Sequence, residues 1–129
     1  MILVDTSAWI EFFRGRDPLA RAVDDLIETN EVALCGPVLT ELRRGLRSKA
    51  DRVRVLPLLH GCTLLEQPDD LFNEAGELGA FLGRKGATIK SFDLLIAIYA
   101  LAHSAAVLSA DADFITMKRC GVALALSEP

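Results

Sequence analysis

Residues 1–13 read MILVDTSAWIEFF, and the fold turns on how this stretch is divided. Ile2, Leu3 and Val4 are consecutive apolar residues without polar alternation, the pattern of a short strand covered on both faces. Asp5 follows at once, then Thr6 and Ser7. An apolar stretch then resumes with Glu11 as its one acid, read as a helix from Ser7 to Arg14 that Gly15 ends. A buried strand therefore carries a carboxylate to its own end, and the question is whether other acids are sent to the same place.

The alternation of strand and helix continues along the chain. Asp17-Pro18 predicts a helix start, with Asp as cap and Pro in the first turn, running to about Thr29. Glu31 to Cys35 reads as a second strand. Gly36-Pro37 opens a helix whose Val38, Leu42 and Leu46 share one stripe, and Ala50 to His60 reads as a helix whose last turn Pro57 disturbs. Cys62 to Leu65 is a third strand, and Pro68 to Leu82 a helix with Leu71, Ala75, Leu78 and Leu82 on one side. Gly83 to Lys90 reads as a polar loop, Ser91 as the cap of an apolar helix over Phe92 to Ala102, and Ala106 to Ser109 as a fourth strand. Asp111 to Arg119 is a short helix and Val122 to Leu126 the last strand. Short apolar strands alternating with helices predict an α/β fold: a three-layer α/β/α sandwich around a parallel sheet, built as one domain over residues 1–129. Ligands of such sheets bind beyond the carboxyl ends of the strands, so the residues just after each strand matter most.

Composition narrows the class. A hydrophobic fraction of 51% with 25% charged residues is that of a soluble globule, and 129 residues suffice for one core. Ile2-Leu3-Val4 is too short for an export signal, and the longest uncharged run, Leu94 to Ala110, has His103 and Ser104 at its middle. No membrane association is expected. Cys35, Cys62 and Cys120 are few, odd in number and set in apolar segments, which fits reduced thiols in a cytoplasmic protein. Two histidines and no Cys-x-x-Cys pair exclude an ordinary zinc site. The net charge of −4 argues against general nucleic-acid binding, yet Glu41 to Arg54 holds six basic residues against two acidic ones. That stretch, with Arg43, Arg44, Arg47 and Lys49 at its centre, is either a solvated helix face or a surface for a polyanion.

Asp5 follows the first strand, Glu41 lies one turn into the helix after the second, Asp93 opens the helix before the fourth, and Asp111 follows the fourth, with Asp113 two residues on. Taken singly, Asp5 and Asp111 can be helix caps, and Glu41 can pair with Arg44. Asp93 resists such a reading, because it is the only charge between Lys90 and Asp111. A buried carboxylate there needs a cap role, a basic partner or a metal. Four acids drawn together would not all ionise without a cation between them, and oxygen-only ligands select Mg²⁺, or Mn²⁺ in its place. Such a site suits hydrolysis of a phosphodiester. Thr6, Ser7 and Ser109 read as hydroxyl donors to the carboxylates rather than as nucleophiles. No phosphate-binding glycine loop or nucleophile elbow competes.

In order along the chain, DTSAWIEFF (5–13), VLTELRRGL (38–46), SFDLLIAIYALAH (91–103) and VLSADADF (107–114) resemble the motifs of the PIN-domain family, and in particular its VapC toxin branch. The resemblance spans nearly the whole chain. It implies an α/β/α sandwich and a Mg²⁺- or Mn²⁺-dependent endoribonuclease that leaves a 5′-phosphate and a 3′-hydroxyl on tRNA, rRNA or mRNA. Asp5, Glu41 and Asp93 match the first three acids of the family. Asp111 is favoured for the fourth and Asp113 is the alternative. By this resemblance Asp5 and Asp93 hold the ion most directly, while Glu41 and Asp111 orient waters or hold a second ion. Arg43, Arg44, Arg47 and Lys49 steer RNA. The resemblance also implies a homodimer and a VapB-type antitoxin, whose tail is expected in an exposed groove lined by Trp9 with Phe12 or Phe13. A phospho-receiver domain shares the length and sheet but needs paired acids after the first strand, where this chain has Thr6. A catalytically inactive PIN-like binding module is the alternative function, and it would be marked by a lost acid.

Overall fold

Val32, Ala33 and Leu34 are all buried, although successive strand residues point to opposite faces, so helices must cover the sheet on both sides. The computed structural model, which describes residues 1–129, shows how. The chain order is β1 (Ile2–Val4), α1 (Thr6–Phe13), α2 (Leu19–Glu28), β2 (Val32–Leu34), α3 (Gly36–Arg44), α4 (Lys49–His60), β3 (Thr63–Leu64), α5 (Leu71–Arg84), α6 (Ser91–Ala102), β4 (Ala106–Leu108) and α7 (Ala112–Arg119). The four strands form one parallel sheet in the order β3-β2-β1-β4. This is the expected α/β sandwich. Trp9, Phe114, Leu3, Leu82 and Ile96 are among the largest fully buried side chains, each removing enough apolar surface from water to contribute about 2–3 kcal/mol. α5 and α6 pack closely at Gly79, where a Cβ would come within 2.9 Å of Leu94 Cδ1. No helix is long and apolar enough to cross a membrane.

Strand register sets up the site. Val4 pairs with Leu108 and Leu3 with Ala33, so continuing the register places Asp5 beside Ser109 on one side and level with Cys35 on the other. Cys35 in turn precedes α3, the helix that carries Glu41.

Several expected details differ. The segment Val122 to Leu126 is not a full strand. Only Leu126 bridges Val107 in parallel, because Leu124 donates its N–H to Val122 O at 2.8 Å in a tight local turn instead of to the sheet. Ser91 is not the cap of α6. Lys90 holds that position with an extended backbone, and Ser91 begins the helix. At α2 the cap position falls to Pro18, while Asp17 Oδ1 accepts from Arg21 N at 3.1 Å from one residue further out. Pro57 does not break α4, which continues to His60. Pro57 and Val53, whose carbonyl loses its helical donor, both lie on the exposed side, where that carbonyl is open to solvent.

Candidate active site

Asp5 stands at the cap position of α1, yet its carboxylate caps nothing. Its Oδ2 accepts hydrogen bonds from Ser7 Oγ and Ser109 Oγ, each at 2.8 Å. Both hydroxyls are themselves acceptors: Ser7 Oγ from Ala110 N at 2.9 Å and Ser109 Oγ from Asp111 N at 2.9 Å. A serine has one hydroxyl proton, so with both protons directed at Asp5 the 3.0 Å approach of the two Oγ atoms is a contact and not a third hydrogen bond. The pair fixes the carboxylate through Oδ2 and leaves Oδ1 without a protein donor. Asp5 is 3% exposed.

Glu41, half-buried on α3, accepts from Thr6 Oγ1 at 2.8 Å through Oε1. Thr6 and Ser7, neighbours at the start of α1, thus direct two different acids, and the Glu41–Arg44 pair does not form. The buried Cys35 feels both acids, and its thiol is pushed up to about 12, chiefly by burial and further by the charges of Asp5 and Glu41. Such a thiol is inert as a nucleophile. Cys35, Cys62 and Cys120 are all free.

The tightest group is Asp93, Asp111 and Asp113, each of which offers a carboxylate oxygen within 4.8 Å of the others. Asp93 is 5% exposed, and its buried Oδ2 has no hydrogen-bond partner. Burial raises its pKa, with help from the facing Asp113 and the charges of Asp5 and Asp111, and despite Lys90 the group is pushed up to about 8. Asp111 caps α7 by accepting from Asp113 N at 3.0 Å through Oδ1, and its Oδ2 takes the Lys90 ammonium. Although partial burial opposes it, the Lys90 hydrogen bond and charge, with the Asp113 amide, leave Asp111 below the usual carboxylate range. Asp113 Oδ2 faces Lys90 N at 3.5 Å and Lys90 Nζ at 3.8 Å.

Of the residues singled out in the sequence, Asp93, Asp111 and Asp113 therefore form one cluster. Asp5 lies outside it but near enough for its charge to act on Asp93, and Glu41 sits beyond Asp5 by way of Thr6. Asp113 belongs to the cluster as fully as Asp111. Arg43 and Arg44 in the last turn of α3, Arg47 after it and Lys49 at the start of α4 are exposed and make no ion pair. The expectation for Trp9 is corrected. Its indole is fully buried, stacked on Phe13 at 5.8 Å and edge-on to Phe12 at 5.9 Å, so it lines no exposed groove. An apolar aromatic on an amphipathic helix goes to the larger apolar surface available, which here is the core. Phe12 and Phe13 are half-buried against that core, with the Arg54 guanidinium 5.5 Å from the Phe13 ring centre. Lys90 closes the segment expected as a polar loop, with no part in the site foreseen for it. Its spacing of three from Asp93, across a helix start, was the available signal.

With three clustered acids, an orphaned buried carboxylate oxygen and a free Oδ1 on Asp5, the residues fit a hard divalent cation. A PIN domain family model matches residues 2–119. The chain is 34% identical over 124 residues to ribonuclease VapC11 of Mycobacterium tuberculosis and equally to a VapC ribonuclease of Mycobacterium bovis, covering 92% of this chain and 92% of each relative. The structure is similar to that of VapBC2 from Rickettsia felis, solved bound to a DNA fragment from its promoter. The TM-score there is 0.77 and the identity 26%, over 98% of both chains.

Proposed function

This chain belongs to the PIN-domain family, and from that premise we propose that it is the RNA-cleaving toxin of a toxin–antitoxin pair, a Mg²⁺- or Mn²⁺-dependent endoribonuclease acting in the cytoplasm. The observation that carries the reading is Asp93 Oδ2, buried without a hydrogen bond in a cluster of three carboxylates that the single charge of Lys90 only partly offsets. A carboxylate left so would neutralise or destabilise the fold, and a divalent ion removes both penalties. When bound, such an ion supplies activation of water and neutralisation of charge developing on the phosphodiester.

The protein's own groups do the rest. Asp93 and Asp111, with Asp113 beside them, are the residues that would hold the ion, and Asp5, whose charge reaches Asp93, has Oδ1 free to join them. Ser7 and Ser109 keep Asp5 from rotating, so its carboxylate is fixed in one orientation before substrate arrives. Thr6 does the same for Glu41, whose role in this reading is to orient water or a second ion. Water rather than the ribose 2′-hydroxyl attacks phosphorus, and breakage of the P–O3′ bond, with the 3′-oxygen leaving as a hydroxyl, gives a 5′-phosphate and a 3′-hydroxyl. A VapB-type antitoxin is the proposed partner, with Phe12 and Phe13 as candidate contacts, and a homodimer is the proposed assembly. Purified protein is expected to cut total cellular RNA with Mg²⁺ or Mn²⁺ and to stop when the ion is chelated. A protein that left RNA intact in both ions would instead be a non-catalytic binding module.

Arg43, Arg44, Arg47 and Lys49 extend a basic surface from the end of the helix that carries Glu41. We expect Arg43→Ala with Arg47→Ala to weaken RNA binding roughly 3- to 10-fold at moderate salt. The slope of log affinity against log salt should fall by about 1 to 1.5, as for two lost phosphate contacts. Single-turnover cleavage at saturating enzyme should change little, because neither residue touches the acids.

A further inference from the structure

Resting on the metal-dependent reading above, we propose that Lys90 is an internal stand-in for the divalent cation: it fills the acidic pocket of the metal-free protein and swings out as the ion enters. Its ammonium contacts all three clustered acids, Asp111 Oδ2 closely, Asp93 Oδ2 at 3.6 Å and Asp113 Oδ2 at 3.8 Å. No other cationic side chain pairs with these acids, since the one remaining ion pair, Arg16 with Glu11, is elsewhere.

Space decides that the two cations exclude each other. Oxygens that all lie within 4.8 Å of one another can surround one cation, with bonds of roughly 2.0–2.2 Å to Mg²⁺ or about 2.8 Å to an ammonium, but not two. The fit of the lysine is also incomplete. One short contact and two long ones leave Asp93 Oδ2 without a hydrogen bond, and one positive charge faces three carboxylates. A dication answers both shortfalls, so exchange runs in its favour.

The construction of the lysine suits departure. Its root is anchored, because Lys90 holds the cap position of α6 and its main-chain N–H reaches Asp113 Oδ2. Its side chain is 66% exposed, so rotation of the stem alone carries the ammonium to solvent. Lys90 thus keeps the empty pocket ordered and sets the concentration at which the ion takes over.

The test is Mn²⁺ binding, followed by the electron paramagnetic resonance of free ion, for wild type, Lys90→Met and the control Lys118→Met. Removal of the competing charge should tighten binding by Lys90→Met roughly 5- to 30-fold and leave the control at the wild-type value. The same wild-type protein is treated with an amine-acylating reagent, and each lysine is read by mass spectrometry. Lys90 should label several-fold faster with saturating Mn²⁺, while Lys49, Lys85 and Lys118 stay constant. Equal Mn²⁺ affinities with no change in Lys90 labelling would overturn the stand-in role and leave the metal reading intact. No Mn²⁺ binding by any protein would overturn both. Should Lys90→Met fail to fold, the labelling result on wild-type protein decides alone.

Discussion

Asp5→Asn is expected to lower RNA cleavage by about 10³-fold or more while leaving the fold within about 1 kcal/mol of wild type. The separation of the two effects follows from the division of labour between the carboxylate oxygens. Oδ2 serves the fold by accepting from Ser7 and Ser109, and an amide oxygen can accept both bonds in its place. Oδ1 is the atom with no protein donor, and in asparagine the corresponding position is an uncharged NH₂ that repels a cation. Cleavage assays at saturating Mn²⁺, set beside thermal melts of the same preparations, check both halves. Asp5→Ala should be worse in the melt as well, since it strands two hydroxyls that now point at nothing.

Asp93→Asn should be equally inactive but, without metal, more stable than wild type at alkaline pH. The sign follows from the direction of the shift. Asp93 titrates near 8 in the fold against 3.8 for an ordinary aspartate, so the folded protein binds the extra proton between those values. Stability supplied by this group is therefore present at low pH and drains away as pH rises from about 4 to about 8. Asparagine has no such dependence. With Lys90 close by and solvent at the rim, we expect the variant to gain about 1–3 kcal/mol at pH 8.5 and close to nothing at pH 4.5. Adding Mg²⁺ should reverse the order, because the ion stabilises the ionised wild-type site and finds less to bind in the variant. Melts across pH 4.5–8.5, with and without Mg²⁺, measure all four corners. A wild type more stable than the variant at pH 8.5 without metal would contradict the description of Asp93 as a buried charge that Lys90 only partly compensates.

Much of this architecture is legible in sequence because the parallel sheet converts spacing into position. An acid placed just after a short apolar strand has to emerge at one sheet edge, and the shared register of β1 with β4 makes Asp5 and Ser109 neighbours across more than a hundred residues. The hydroxyl residues beside the acids were legible for the same reason. Lys90 was not, because its partners at 111 and 113 are brought to it by the docking of α7 and not by any local pattern. Trp9 was misplaced because an aromatic on a helix start says that apolar surface will be covered without saying which surface. The terminal strand failed for a local reason, since the turn that follows Gly121 uses an N–H the sheet would have needed. Asp111 and Asp113 share two residues of one helix start, and both reach the cluster, so sequence spacing alone had no means to rank them.

Anomalous diffraction from crystals grown with Mn²⁺ would show whether these carboxylates share a divalent ion. One strong peak is expected roughly 2.0–2.3 Å from an oxygen of Asp93, within reach of Asp5 Oδ1 and of Asp111 or Asp113, with the Lys90 ammonium turned away. A pocket still occupied by Lys90, with Mn²⁺ bound only elsewhere on the surface, would contradict a shared ion.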